Sequence, residues 1–133
     1  MKIAAVVSNT HPDITHKMLE IAKSRALILG CSISSIVFVD GCFEMPLAVK
    51  KCLETEVAGV ITLGAVIKGE TDHDKLILYS IVPKFIDLAL EFSKPVGLGI
   101  GGPNISRDQC IARIESHARK AVDAVVNLAR ELK

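Results

Sequence analysis

An α/β fold built on a parallel sheet is predicted by three features of the chain. Four short runs rich in β-branched and small apolar residues alternate with four longer stretches of helical apolar spacing. Each strand-to-strand connection is long enough for a crossover, and such crossovers are right-handed. Half of the residues are apolar while only 4% are aromatic, so the core must be aliphatic, as stacked βα units require.

The elements follow in order. Residues 2–8, KIAAVVS, stop at Asn9 and read as a buried strand. A helix over 13–29 comes next, with Asp13 as the expected N-cap, Ile14, Met18, Ile21, Ala22 and Leu29 near helical spacing, and Gly30 as the stop. The unit repeats with a strand over 32–39, a DGC turn, a helix over 43–55 and a strand over 58–66. Pro46 suits a first helical turn, where no intrahelical N–H is needed. After a polar loop come a helix over 73–92, a strand over 95–100 and a last helix over 106–132. Pro83 lies inside the third helical pattern and is expected to kink or split it. The alternation points to a three-layer flavodoxin-like fold, with a four-stranded parallel sheet of order 2-1-3-4 and helices on both faces.

At 133 residues the chain is expected to be a single domain over 1–133. Lys plus Arg number 16 and Asp plus Glu 15, for a formal net charge of +1, and no basic cluster is interleaved with aromatics. This argues against a nucleic-acid partner. The apolar run at the N-terminus is broken at once by SNTHPD, too early for a signal peptide or a membrane span. A cytoplasmic protein without membrane attachment is expected. A mean hydropathy of +0.40 is high for a small monomer, so apolar surface is expected to be buried between subunits. Cys31, Cys42, Cys52 and Cys110 are scattered without a CxxC pair and read as reduced, buried thiols.

In an open α/β sheet, ligands bind beyond the carboxyl ends of the strands, which here directs attention to the turns at 9–12, 40–44, 68–72 and 101–105. The third turn carries most chemistry: Gly69 lets the backbone approach a ligand, and Glu70, Thr71 and Asp72 open the next helix, whose N–H groups and dipole can hold an anion. His73 lies in the first turn of that helix, and an imidazole can both take and give a proton near neutral pH. The plainer reading, that Thr71 or Asp72 merely caps the helix and His73 is solvated, stays open on local pattern. In the second turn, Glu44 either caps a helix or accepts hydrogen bonds from a polyhydroxylated ligand. Arg113, His117 and Lys120 fall on one helix face, which is either a solvated stripe or a cationic grip on a neighbouring subunit's ligand.

GLGIGG at 97–102 satisfies GxGxxG, but it follows the fourth strand rather than the first, and no later strand supplies a ribose-binding acid. A dinucleotide site is discounted. The chain holds no GxxxxGK[ST], HExxH or GxSxG and no cluster at metal-ligand spacing, which disfavours an NTPase or a metal enzyme.

Taken in order, DIT, GCFEMPLAVKK, GAVIKGETDHD and QCIAR resemble the motifs of the 6,7-dimethyl-8-ribityllumazine synthase family over nearly the whole chain. The resemblance implies a transferase of riboflavin biosynthesis. Such an enzyme joins 5-amino-6-(D-ribitylamino)uracil to 3,4-dihydroxy-2-butanone 4-phosphate, releasing phosphate and water, with no metal and no organic cofactor. It also implies a flavodoxin-like subunit whose site is completed by a neighbour in a homopentamer or a multiple of pentamers.

By motif position His73 matches the family's proton-transferring histidine, Glu70 and Thr71 the helix start that holds phosphate, and Arg113 a phosphate-binding arginine from the adjacent subunit. Phe43 and Glu44, with Cys42 beside them in the same motif, match the ribityl-binding segment; Val66 and Ile67 match the wall of the pyrimidine pocket, and Lys120 a lysine near the pyrimidine carbonyl. Thr10 stands where the family usually has a stacking aromatic, with His11 beside it as a candidate for that flat face. Leu98 replaces a second aromatic supplied by the neighbour, and Asp74-Lys75 replaces an aromatic-acid pair after the histidine. Two other readings remain: a flavin or lumazine carrier that does no chemistry, and a riboflavin synthase of the same fold.

Overall fold

The computed structural model describes all 133 residues. The order is β1 (Lys2–Ser8), α1 (Pro12–Ile28), β2 (Ser32–Val39), a 3₁₀ turn (Cys42–Glu44), α2 (Met45–Leu53), β3 (Val60–Ala65), α3 (His73–Phe92), β4 (Val96–Gly101), α4 (Arg107–Ala112) and α5 (Ile114–Glu131). The four strands form one parallel sheet of order β2-β1-β3-β4. This is the three-layer α/β arrangement and the strand order that the sequence predicts.

Strand alternation sorts the core into its two layers. Ile3, Ala5 and Val7 of β1, with Ile61 and Leu63 of β3, pack under α1 and α5 against Met18, Ala22, Ala118, Val122 and Val125. Ala4 and Val6, with Val60, face the other way onto Met45 and Val49 of α2 and Leu78, Ile81 and Phe85 of α3. Burial on both faces is why the central strands read as continuous apolar runs.

The first, third and last helices differ from expectation in ways that bear on the site. The first helix begins at Pro12, not after Asp13, and its N-cap is His11 in the left-handed region at φ 56°. Proline at the first helical position has a preset φ and lacks the N–H that a cap would have to satisfy. Asp13 instead lies within the first turn, where its carboxylate meets the guanidinium of Arg107. Pro83 does not split α3, which runs unbroken from His73 to Phe92. Pro83 is exposed, so the hydrogen bond it removes lies towards solvent, where water can take the freed carbonyl.

The predicted last helix is two helices. Ser106 caps α4, its Oγ accepting the Gln109 N–H at 3.1 Å while Gln109 Oε1 accepts the Ser106 N–H at 2.9 Å. The chain then breaks at Arg113 (φ −108°, ψ 8°) and restarts as α5. Cys110, Ile114, Ala118 and Ala121 are all buried, so the apolar period runs straight through the break and hides it.

The glycines of β4 have a packing role. A Cβ at Gly97 would lie 2.6 Å from the Ala121 carbonyl oxygen and 2.8 Å from Val125 Cγ2, so α5 lies directly on the strand. Gly97 and Gly99 of the GxGxxG match thus serve a helix-on-strand contact, whereas Gly102, at φ 130°, lies after the strand against Val66 and Leu78. Gly97→Ala is expected to destabilise the fold by about 1–3 kcal/mol through overpacking. Denaturant titration should show a lower midpoint at unchanged slope; an unchanged midpoint would mean that α5 can shift away freely.

Candidate functional site

The carboxyl ends of β1 and β3 converge with the β2–α2 turn on a cavity of about 640 Å³. Its position follows from the topology, since β1 and β3 are adjacent at the centre of the sheet while their crossovers leave on opposite faces. Thr10 and His11 form one wall, Gly41 to Glu44 a second, and the segment from Ala65 through Gly69 and Thr71 to His73, Asp74 and Ile77 a third.

The walls are braced from within. Thr10 Oγ1 donates to the Asp40 carbonyl at 2.9 Å and the Thr10 N–H donates to Ser8 Oγ at 3.1 Å, tying the first turn to the second. Glu44 Oε1 accepts the Gly41 N–H at 3.0 Å, and the Glu44 N–H donates to the Gly41 carbonyl at 3.2 Å. Glu44 thus closes its own turn with one oxygen while its carboxylate remains on the cavity wall, so capping and ligand binding are compatible there. Cys42 is buried, with its Sγ filling the space above Gly64. Burial pushes its thiol up to about 11, so it acts as an apolar wall rather than as a nucleophile.

At the third wall, His73 is the first residue of α3 and is exposed. Thr71 Oγ1 accepts the His73 N–H at 3.4 Å, and Asp72 occupies the cap position without a side-chain bond to a helix N–H, its carboxylate pairing instead with Lys75 Nζ at 3.7 Å. The helix start is therefore only lightly capped, leaving N–H groups for an anion. Nothing lies within 4 Å of where a Cβ at Gly69 would be, so the backbone at this glycine is open to a ligand.

The loop before α3 is zipped to the one after β4. The Val66 N–H donates to the Gly101 carbonyl at 2.8 Å and the Lys68 N–H to the Ile105 carbonyl at 2.9 Å. Lys68 Nζ donates to Asn104 Oδ1 at 3.1 Å, and Asp74 Oδ2 accepts the Asn104 N–H at 2.8 Å. Arg107 in turn spans His11 Nδ1, at 3.2 Å, and Asp13. Since a guanidinium only donates, Nδ1 of His11 is an acceptor and its ring is held at the cavity edge.

Nine of the sequence-derived site residues line this one cavity: Thr10, His11, Cys42, Phe43, Glu44, Val66, Ile67, Thr71 and His73. Glu70, Leu98, Arg113 and Lys120 are outside its lining and are exposed. Leu98 belongs instead to an apolar groove with Val82, Phe85, Ile86, Ala89, Leu90 and Val96. Arg113 sits at the α4–α5 break with one guanidinium nitrogen donating to the Gln109 carbonyl at 3.0 Å. His117 differs from both neighbours on its predicted stripe, being turned inward against Gly101 with Nδ1 buried and unpaired. Burial, with Arg113 and Lys120 nearby, lowers its pKa. Asp74 lines the cavity although sequence reasoning gave it no role; the polarity of a carboxylate inside an amphipathic helix was the available signal.

The family model for 6,7-dimethyl-8-ribityllumazine synthase matches residues 1–133. The chain is 48% identical to the 6,7-dimethyl-8-ribityllumazine synthase of Methanothermobacter thermautotrophicus over 134 aligned residues, covering 100% of this chain and 96% of that protein. It is likewise 48% identical to the enzyme of that name from Picrophilus torridus, covering 100% and 98%, and 44% identical to the one from Metallosphaera sedula, covering 100% and 89%. A match over the whole length, on a fold whose cavity gathers the matching motif residues, establishes that this chain belongs to the 6,7-dimethyl-8-ribityllumazine synthase family.

Proposed function

We propose that the chain is a transferase of riboflavin biosynthesis that condenses 5-amino-6-(D-ribitylamino)uracil with 3,4-dihydroxy-2-butanone 4-phosphate to give 6,7-dimethyl-8-ribityllumazine, phosphate and water. Membership of the family carries this reading, and the gathering of Phe43, Glu44, Val66, Ile67, Thr71 and His73 around one cavity supports it. The pyrimidine lies against Val66 and Ile67, with Thr10 and His11 at its edge. The ribityl chain lies along the turn of Cys42, Phe43 and Glu44, and the phosphate sits on the backbone at Glu70 and Thr71, where the start of α3 favours an anion. The amine attacks the ketone to form an imine with loss of one water, and phosphate leaves as the proton on the neighbouring carbon is removed. The resulting enol tautomerises to a ketone, and the second nitrogen closes the ring on that carbonyl with loss of a second water. His73 moves the protons, and the fixed dipoles of the helix start stabilise the departing phosphate.

The reading includes a homopentamer, or a multiple of pentamers, in which Arg113, Lys120 and Leu98 of one subunit complete the cavity of the next. Leu76, Tyr79, Ile86, Leu90 and Leu98 are all more than half exposed along α3 and the edge strand β4, which supports burial of that face between copies. No helix is long and apolar enough to cross a membrane. A cytoplasmic setting, in which the four buried thiols stay reduced, belongs to the same reading.

Purified protein given both substrates is expected to form the fluorescent lumazine and release phosphate at a rate well above the uncatalysed condensation. No excess over that background would overturn the reading. Light scattering in parallel should report a multiple of five subunits, and a stable monomer would remove Arg113 from the site.

A further inference from the structure

His11 stands in the left-handed region at φ 56° and ψ 60°, a conformation unfavourable for residues other than glycine. Its main chain starts α1 without help from the side chain. The His11 carbonyl accepts the Ile14 N–H at 3.0 Å and the Thr15 N–H at 3.1 Å, and the imidazole makes no capping bond. The one hydrogen bond of the ring is to Arg107, whose Nη1 lies 3.2 Å from Nδ1. With Nδ1 accepting, the hydrogen of the neutral ring is on Nε2. His11 lines the cavity and Arg107 does not, so the guanidinium acts on this wall from outside.

Arg107 is itself fixed. It is the first residue of α4, whose start is closed by the reciprocal bonds of Ser106 and Gln109, and its Nη2 pairs with Asp13. Ile105, two residues earlier, accepts the Lys68 N–H at 2.9 Å. One side chain therefore joins the anchored loop after β4 to the turn after β1. Thr10, beside His11, is tied to the β2–α2 turn through the Asp40 carbonyl, so the wall of Thr10 and His11 is held from both sides.

We propose that Arg107 is a positioning residue of the site: by holding His11 in one orientation and one tautomer, it presets the wall that meets the pyrimidine of the ribitylaminouracil. The assignment rests on the function proposed above, in which Thr10 and His11 lie at the pyrimidine's edge. Two considerations favour it over simple bracing of the fold. The ion pair with Asp13 is about half exposed, where such a pair adds little stability, and both α1 and α4 are started without the Arg107 side chain. The imidazole is also the only ring on this wall, since its neighbour is a threonine. A ring held beforehand does not have to be ordered when the ligand arrives, which favours binding.

A double-mutant cycle between Arg107 and His11 tests the assignment. Calorimetric titration of the assembled protein with the ribitylaminouracil alone should show Kd raised about 3- to 10-fold in Arg107→Ala, the range of one hydrogen bond. His11→Gly, which removes the ring and suits the backbone at φ 56°, should raise it at least as much. In the His11→Gly background, adding Arg107→Ala should move Kd by less than about twofold, because the ring through which Arg107 acts is gone. The KM for the ketone phosphate in Arg107→Ala should stay within about twofold of wild type, and its thermal unfolding should be close to wild type. Arg107→Met keeps the apolar stem without the donors; it should repeat the Arg107→Ala result and takes its place if that variant fails to assemble. An unchanged Kd in the Arg107 variants overturns the proposal, as does a rise of the same size with and without the His11 ring. A rise confined to the KM of the ketone phosphate would make Arg107 an anion contact and overturn it too. A wild type that binds the uracil but forms no lumazine defeats the proposed reaction, while the cycle still decides the role of Arg107. A wild type that binds no uracil defeats both.

Discussion

Replacing His73 with alanine is expected to lower turnover about 10²- to 10⁴-fold while moving either KM far less. The imidazole is exposed on the cavity wall at the first position of α3, and the contact that Thr71 makes with this residue is to its main-chain N–H. Alanine therefore keeps the helix start, and with it the proposed phosphate cradle, and removes only the ring. Several steps of the proposed reaction move a proton: imine formation, the loss of a carbon-bound proton as phosphate leaves, and ring closure. A single group that both takes and gives protons serves them all, which is why its loss should appear in kcat rather than in binding. His73→Asn tests whether shape alone matters, because it retains polarity and much of the bulk without an imidazole to pass a proton. Single-turnover kinetics on both variants should show the same deficit. Turnover within about twofold of wild type in His73→Ala would transfer the proton to water or another group.

The sheet was legible because its signals are local. Four apolar runs of strand length and four of helical spacing specify the elements, and the crossover rule specifies the order in which parallel strands can be joined. The cavity was legible for the same reason, since Gly69 to His73 at the end of β3 is where an open α/β sheet places a ligand. Arg113 was misread as a mid-helix residue because the apolar period through Cys110, Ile114 and Ala118 is unbroken, and only the backbone angle at residue 113 reveals two helices. Asp74 was missed because its interest lies in a contact with Asn104, thirty residues away, which no local pattern encodes. The inward turn of His117 against Gly101 likewise depends on the bare surface of a strand glycine. What the sequence conceals are the braces between loops, and those braces fix the polar atoms of the site.

Arg113→Ala is expected to weaken ketone phosphate binding by about 2–5 kcal/mol, the cost of losing one side of a charge-assisted contact, seen as a KM raised about 30-fold or more. The structure makes a sharper form of the prediction possible. Arg113 is outside the lining of its own chain's cavity, at the exposed break between α4 and α5, so the proposed role requires it to act in the cavity of another copy. Each proposed site then takes His73 from one subunit and Arg113 from its neighbour around a ring. Two impaired variants, His73→Ala and Arg113→Ala, unfolded and refolded together in equal amounts and assayed with the ketone phosphate well below its wild-type KM, should form mixed rings. In these, a subunit with intact His73 sits beside one with intact Arg113 at about a quarter of the interfaces, the product of two independent probabilities of one half in a cyclic head-to-tail assembly. The mixture should therefore recover about a quarter of the wild-type rate per site, far above the sum of the two variants alone. If both residues served one cavity from the same chain, every site in the mixture would still lack one of them and the rate would not exceed that of the two variants alone. Recovery that fails in rings shown by mass spectrometry to be mixed would remove Arg113 from the site and leave the phosphate to the start of α3 alone.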